Sequence, residues 1–209
     1  SKGKKARILN LSKNLIKVLA SMGDLLKLPL NSESLQKLTE SYVVSNAKIK
    51  KDYPNFNFTY VPLKNDLYND ERNTATEFVF PYADNTFDKA FLFSVFTHMS
   101  PDEIQNYLCE IKRTLKPGGL CLATFFIYNS DNESSIESNI NFPFTVNNGN
   151  HRLMSNKVKS ANIAFKEDFL NELILNAQLK KINTIDGYWK NQNAFNENND
   201  FQDIVILEA

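Results

Sequence analysis

Residues 87–128, FDKAFLFSVFTHMSPDEIQNYLCEIKRTLKPGGLCLATFFIY, constrain the fold more than any other part of the chain. The stretch opens on a near-continuous apolar run, Phe87–Phe96, of the kind buried on both faces of a parallel sheet. A strongly punctuated helix follows: Ser100 is placed to cap it, Pro101 takes the first helical position, and Glu103 completes a capping box. Ile104, Tyr107, Leu108, Ile111 and Leu115 then recur on one stripe. Lys116-Pro117-Gly118-Gly119 turns the chain into a second apolar run, Leu120–Tyr128. A strand, a helix and a strand in that order are the unit of a parallel sheet, because parallel neighbours need a long crossover.

The alternation extends along the chain. Residues 6–11 predict a strand, and residues 14–22 a helix with Leu15, Val18, Leu19 and Met22 on one face. Ser34–Leu38 predicts a short strand, and Thr39–Lys51 a helix with Thr39 as N-cap. Phe56–Val61 predicts a strand between Pro54 and Pro62, and residues 63–80 a loop. Residues 129–164 are polar and read as an irregular insertion over one end of the sheet. Residues 166–178 predict a helix, and 180–189 and 201–208 two closing strands. The order predicts one α/β domain over 1–209, with a mostly parallel sheet and right-handed crossovers. Ligands in such sheets sit at the carboxyl ends of strands, where strand order reverses. The first strand–helix junction, Ser12-Lys13-Asn14-Leu15-Ile16, belongs there.

Composition narrows the function. Lys+Arg and Asp+Glu both number 24, so no basic excess points to nucleic acid or an anionic membrane surface. The basic start, SKGKKAR, reads as a solvated end, and the asparagine-rich WKNQNAFNENND as a polar surface loop. Cys109 and Cys121 are expected as two buried, reduced thiols in a cytoplasmic protein. Cys/His spacing suited to a metal is absent, as is an apolar run of membrane-spanning length or a signal peptide at the start. Serine-hydrolase, Walker-type and G-x-G-x-x-G motifs are missing too.

The segment from Phe80 to Asn129 resembles the class I S-adenosylmethionine-dependent methyltransferases. The resemblance is carried by Phe80-Pro81, Phe87-Asp88, His98, Glu110-Ile111, Arg113 and Leu115-Lys116-Pro117-Gly118-Gly119 in that order. YPNFNF upstream and YWKNQ with FQDIVIL downstream look like a bacterial branch of the family. The resemblance implies a Rossmann-like sandwich: a mostly parallel seven-stranded sheet, helices on both faces, and S-adenosylmethionine across the ends of strands one to four. It implies cofactor positions at Asn10, Ser12, Asn14, Gln36 and Ser94.

At those positions the chain departs from the family. The loop after the first strand has no glycine, whereas the family uses several to let the backbone approach the cofactor. Asn10 stands where the family has an acid. Gln36 or Lys37 falls at the ribose position, with Glu33 and Glu40 available in a shifted register. Val61-Pro62 falls where a polar or acidic residue reaches the adenine. Lys13 is either a partner for the cofactor carboxylate or a solvated helix-start lysine.

On the acceptor side, His98 follows the fourth family strand and is either a general base or a helix-capping polar residue. Phe96, Tyr128, Asn129 and Trp189, the last with Tyr188 beside it, are candidate walls of an acceptor site, with core packing as the alternative. His151 is expected to be exposed and Asp88 structural. Two functions remain open. The domain either has lost or weakened its cofactor site and serves as a binding or scaffold module, with a protein partner possible, or methylates a small-molecule or glycan acceptor.

Overall fold

The structure, a computed structural model, describes residues 16, 18, 20, 21, 24, 47–66, 73–139, 142–190 and 200–209. The chain divides into two compact units, residues 1–59 and 60–209, where the sequence predicts one domain. In the first unit Ile16, Val18, Ala20, Ser21 and Asp24 are helical, in line with the helix expected over 14–22. Ala20 is buried and Val18 is 57% exposed, so the buried side does not run through Val18 as the stripe predicts. Helix α1, Ala47–Asp52, is the end of the helix expected over Thr39–Lys51. The rest of that expectation and the strands expected at 6–11 and 34–38 lie outside the described residues.

α1 stops just short of Pro54, whose ring disfavours a helical residue before it. The strand expected over Phe56–Val61 does not form. Phe56, Phe58 and Tyr60 alternate in sequence, yet all three are exposed. Alternation alone does not make a strand; a neighbour must also take its backbone hydrogen bonds.

The second unit is built on strand β1, Phe87–Leu92, and strand β2, Leu115–Phe125, which run parallel with Ala90 opposite Cys121 and Leu92 opposite Ala123. Helix α2, Pro101–Thr114, joins them and starts as its sequence predicts. The Glu103 carboxylate accepts the Ser100 N–H at 2.7 Å and its hydroxyl at 2.9 Å. Ile104, Leu108 and Ile111 are buried, as the stripe requires. Lys116–Gly119 lies inside β2 and not ahead of it. Gly118 takes φ +76°, a backbone state that L side chains resist. Its N–H donates to the Ala209 carbonyl at 2.9 Å, and the Ala209 N–H returns a bond to Gly119 at 2.9 Å.

Beyond β2 come β3 (Ile127–Tyr128), α3 (Glu133–Ser138), β4 (Val146–Asn147), β5 (His151–Leu153), β6 (Ile163–Lys166), α4 (Glu167–Asn176), β7 (Lys180–Ile185) and β8 (Asp203–Glu208). The described strands form two mixed four-stranded sheets, ordered β1-β2-β8-β7 and β3-β6-β5-β4. They do not form the mostly parallel seven-stranded sheet expected. Among the paired strands of these two sheets only β1–β2 and β3–β6 are parallel; β8 returns antiparallel between β2 and β7. Residues 129–164 are not irregular either, since α3, β4, β5 and the start of β6 come from them.

The first sheet alternates along most of its length, with Thr124 at the end of β2 buried as well. Ala90, Leu92, Cys121, Ala123, Phe125, Val205 and Leu207 join one core with Ile104, Leu108 and Ile111 of α2 and Leu170, Leu173 and Ile174 of α4. The residues between them point the other way, where Phe91 is 61% and Leu120 40% exposed. β1 is therefore not buried on both faces, and α2 and α4 both serve one face. Cys121 is buried, which pushes its thiol up to about 12 and leaves it inert. Cys109 is exposed, against expectation, because it lies outside the α2 stripe; its sulfur accepts the Gln105 amide at 3.6 Å.

α2 also clamps the stretch leading into β1. Glu110 accepts the Phe80 N–H at 2.7 Å and binds Arg113 through both carboxylate oxygens, at 2.9 and 2.6 Å. Arg113 donates onward to the carbonyls of Phe80 and Tyr82 and to Asp84. Asn106 holds the carbonyls of Ala75 and Phe78. The Arg113 hydrogen bonds outweigh partial burial and keep the Glu110 carboxyl below its ordinary value near 4.5. A carboxylate depressed in the folded state stabilises fully above that ordinary value and loses its contribution as pH falls through the folded one. Glu110→Gln is expected to cost about 1 kcal/mol at neutral pH, after allowance for solvent screening. Urea unfolding at pH 7 and again below pH ~4 checks it: the gap between wild type and variant should close in acid.

Candidate functional site

The carboxyl end of β1 is where the chain changes direction. Ser94 sits there at φ +55°, an uncommon state for a residue with a Cβ and one that marks functional turns. Its N–H donates to the Thr124 hydroxyl at 2.8 Å, and its own hydroxyl reaches Gln202 at 3.1 Å. The chain then winds into a single 3₁₀ turn, Phe96–His98, which packs against β2 of the first sheet and β6 of the second. Phe96 is fully buried and stacks on Phe125 at 4.9 Å. It is core, not a wall of an acceptor pocket, because the turn points its ring back between the sheets.

The same turn presents His98, half-buried, to residues 155–160 of the insertion. Its Nδ1 lies 2.8 Å from the Ser160 carbonyl oxygen, and its own carbonyl accepts the Asn65 side-chain amide at 3.2 Å. A carbonyl only accepts, so Nδ1 carries the proton and the neutral ring keeps its lone pair on Nε2. Asp66, the next residue after Asn65, accepts the N–H groups of Lys159 at 2.8 Å and Ser160 at 3.0 Å. Burial works against the Asp66 charge, but hydrogen bonds from the Ser160 side chain and from these two N–H groups outweigh it and hold the carboxyl below its usual range.

Residues 63–123 match the family described as a methyltransferase domain. The chain is similar to that family across this segment, which is less than a third of its length. The stretch runs from the residues before Asn65 through β1, the 3₁₀ turn and α2 into β2, so it contains both Ser94 and His98. Several solved structures are similar to the chain at low identity. The 1,6-didemethyltoxoflavin-N1-methyltransferase of Burkholderia thailandensis, solved with S-adenosylhomocysteine, is 18% identical over 65% of this chain and 47% of its own, with a TM-score of 0.40. A methyltransferase of Methanosarcina mazei is 15% identical over 66% of this chain and 68% of its own, at 0.39. A putative O-methyltransferase of Nostoc punctiforme is 15% identical over 66% and 34%, at 0.42. The matched part thus spans less than half of the Burkholderia chain and about a third of the Nostoc chain.

The other expected positions fare differently. Asn10, Ser12, Asn14 and Gln36 lie outside the described residues. Tyr128 is 1% exposed, with the Arg152 guanidinium 6.0 Å from its ring centroid. Trp189 is 1% exposed, in ring contact with Phe126 at 5.0 Å and Phe144 at 5.5 Å. Both belong to a second, aromatic core with Ile136 and Ala164 and do not wall an open site. Asn129 forms a turn: its N–H donates to Asn132 and its side-chain oxygen accepts the Asp131 N–H, each at 3.0 Å. Of the candidates, Ser94 and His98 are therefore the two that the structure leaves flanking one turn. His151, expected to be exposed, is half-buried beside Asn148 and Asn150, and Asp88, expected to act through backbone hydrogen bonds, pairs its exposed side chain with Lys116 at 2.8 Å.

Three participants escaped the sequence reading. Asp66 and Ser160 sit in stretches read as loop and insertion, where no periodicity flags a residue. Asp203 did carry a signal, a lone charge heading the apolar run DIVIL. It is fully buried and accepts the Ile127 N–H at 2.7 Å, the Gly187 N–H at 2.8 Å and Trp189 Nε1 at 2.8 Å, with Lys190 Nζ at 3.0 Å. Among the described residues no cluster of His, Cys, Asp and Glu is arranged to hold a metal ion, and no helix is long and apolar enough to cross a membrane.

Next to His98, Thr97 is fully buried, and its hydroxyl has no hydrogen-bond partner among the described residues. A buried, unmet hydroxyl carries a desolvation cost of about 1–3 kcal/mol that an isosteric methyl does not. Thr97→Val is expected to stabilise the protein by about 1 kcal/mol, read as a higher urea midpoint with an unchanged slope.

Proposed function

We propose that this chain is a methyltransferase-family domain whose hold on S-adenosylmethionine is lost or strongly weakened, and that it acts as a non-catalytic binding or scaffold module. The supporting observation is the set of residues at the cofactor positions. Ser12–Ile16 offers no glycine, Gln36 offers no carboxylate to the ribose, and Pro62 has no N–H to offer the adenine. Pro62 follows a stretch that forms no strand. The residues do not fit the cofactor, so no step is routed through it. Placing Leu or Ile in a left-handed turn costs roughly 1–2 kcal/mol, and a hydrogen bond to a carboxylate contributes about 1.5–3 kcal/mol. Losing two such contacts removes ~3–6 kcal/mol, so a micromolar binder would become a ~0.1–10 mM one.

A second reading, an active methyltransferase on an oxygen or nitrogen of a small molecule or glycan, is favoured by one observation. His98 lies at the carboxyl end of β1, and its Nδ1 is held by the Ser160 carbonyl oxygen at 2.8 Å, which fixes the orientation of a ring of the type that serves as a general base.

Calorimetric titration with S-adenosylmethionine and S-adenosylhomocysteine, with thermal melts alongside, separates the two. Weak or absent binding is expected. A dissociation constant at or below ~10 μM, about −7 kcal/mol, would overturn the lost-cofactor reading. Silence at millimolar ligand from a folded sample would overturn the enzyme reading. In the combined Ser12→Gly, Asn14→Gly and Gln36→Asp variant, measurable binding is expected to return.

A further inference from the structure

We infer that Asp66 is a positioning residue for His98: it fixes the turn that carries Ser160 and thereby selects the His98 tautomer with its proton on Nδ1. For its catalytic consequence the inference rests on the methyl-transfer reading above; the tautomer itself does not depend on it.

The geometry runs in three steps. The turn is first shaped from within, as the Ser155 hydroxyl oxygen accepts the N–H groups of Lys157 at 3.1 Å and Val158 at 3.2 Å, and Val158 accepts the Ala161 N–H at 3.1 Å. These bonds curl the backbone so that the N–H groups of Lys159 and Ser160 converge. Asp66 then grips both, one with each carboxylate oxygen, at 2.8 and 3.0 Å. Such charge-assisted bonds are about twice as strong as neutral ones. With its amide so held, Ser160 offers its carbonyl oxygen to His98 Nδ1 at 2.8 Å. Asn65 reaches the His98 carbonyl from the residue beside Asp66, so one short segment steadies both the ring's partner and the turn that carries the ring.

The chemistry follows from what each atom accepts. A carbonyl oxygen cannot donate, so the neutral imidazole beside it is Nδ1–H with Nε2 as the basic nitrogen. Free imidazole side chains in water populate both tautomers, so a single one reflects the protein. Asp66 neither touches an acceptor nor takes a proton; it acts through Ser160.

The test reads the ring directly. The chain has two histidines, so His151→Gln leaves one imidazole to observe. Two-bond proton–nitrogen correlation spectra of the nitrogen-15-labelled protein at about pH 8, above the ordinary histidine value, distinguish the tautomers. A pattern with a protonated Nδ1 and an unprotonated Nε2 is expected. Asp66→Ala should lose it and give a mixture or the Nε2–H form, while Asp66→Asn, which retains one acceptor oxygen, should fall between. An Nε2–H pattern in the parent protein would overturn the inference, as would an unchanged Nδ1–H pattern in folded Asp66→Ala. Failure to bind S-adenosylmethionine would remove the methyl-transfer reading and leave this result standing.

Discussion

One buried carboxylate joins the parts of the second unit. Asp203 opens β8, the strand that lies between β2 and β7, yet its oxygens take the N–H of Ile127 in β3, which belongs to the other sheet. They also take the Gly187 N–H and the Trp189 indole, and face Lys190. Burial raises the Asp203 carboxyl above its usual value even with Lys190 beside it. A buried charge is tolerated only when it is paired and its lone pairs are met. Here three donors and a cation meet them, and each donor comes from a segment that must then lie where it does. Gly187 shows how tight the fit is: a Cβ there would sit 2.4 Å from the Gln202 carbonyl carbon. Lys190 keeps its proton for the reciprocal reason: burial disfavours the charge, but Asp203 and Asp186 outweigh it.

The two sheets meet around the turn that carries His98. Phe96 and Phe125 stack at 4.9 Å and Phe125 meets Phe165 of β6 edge-on at 6.4 Å, so the turn is wedged between sheets by its own first residue. Deeper in the insertion, Arg152 is almost fully buried, pairing with Glu133 and Glu137 and donating to the Phe144 carbonyl. The insertion therefore has a core of its own, and its loop reaches His98 from a braced base.

What the sequence made legible was local. Ser100, Pro101 and Glu103 act within one turn of helix, and the α2 stripe acts within four, so residues 100–115 could be read directly. β8 could be recognised as a strand but not placed between β2 and β7, because its partners are fixed by register far along the chain. The candidate site shows the same division. His98 was visible from its place after an apolar run, whereas its partner Ser160 lies 62 residues away and Asp66 lies 94 residues from Ser160. Trp189 and Tyr128 were visible as aromatic residues near strand ends. Whether such a ring faces solvent or a second core depends on Phe126, Phe144 and Ile136, which no periodicity links to them.

The residues that carry the family resemblance also explain why the resemblance does not decide activity. Phe80, Glu110 and Arg113 hold the approach to β1 against α2; Gly118 and Gly119 lock the start of β2 to the last residue, Ala209. Each of these contacts serves the fold. None of them involves Ser12, Asn14 or Gln36, so they hold whatever residues stand at those positions. The motif between Phe80 and Gly119 therefore reports that the second unit is built, and it would do so equally in a chain with or without a working cofactor site.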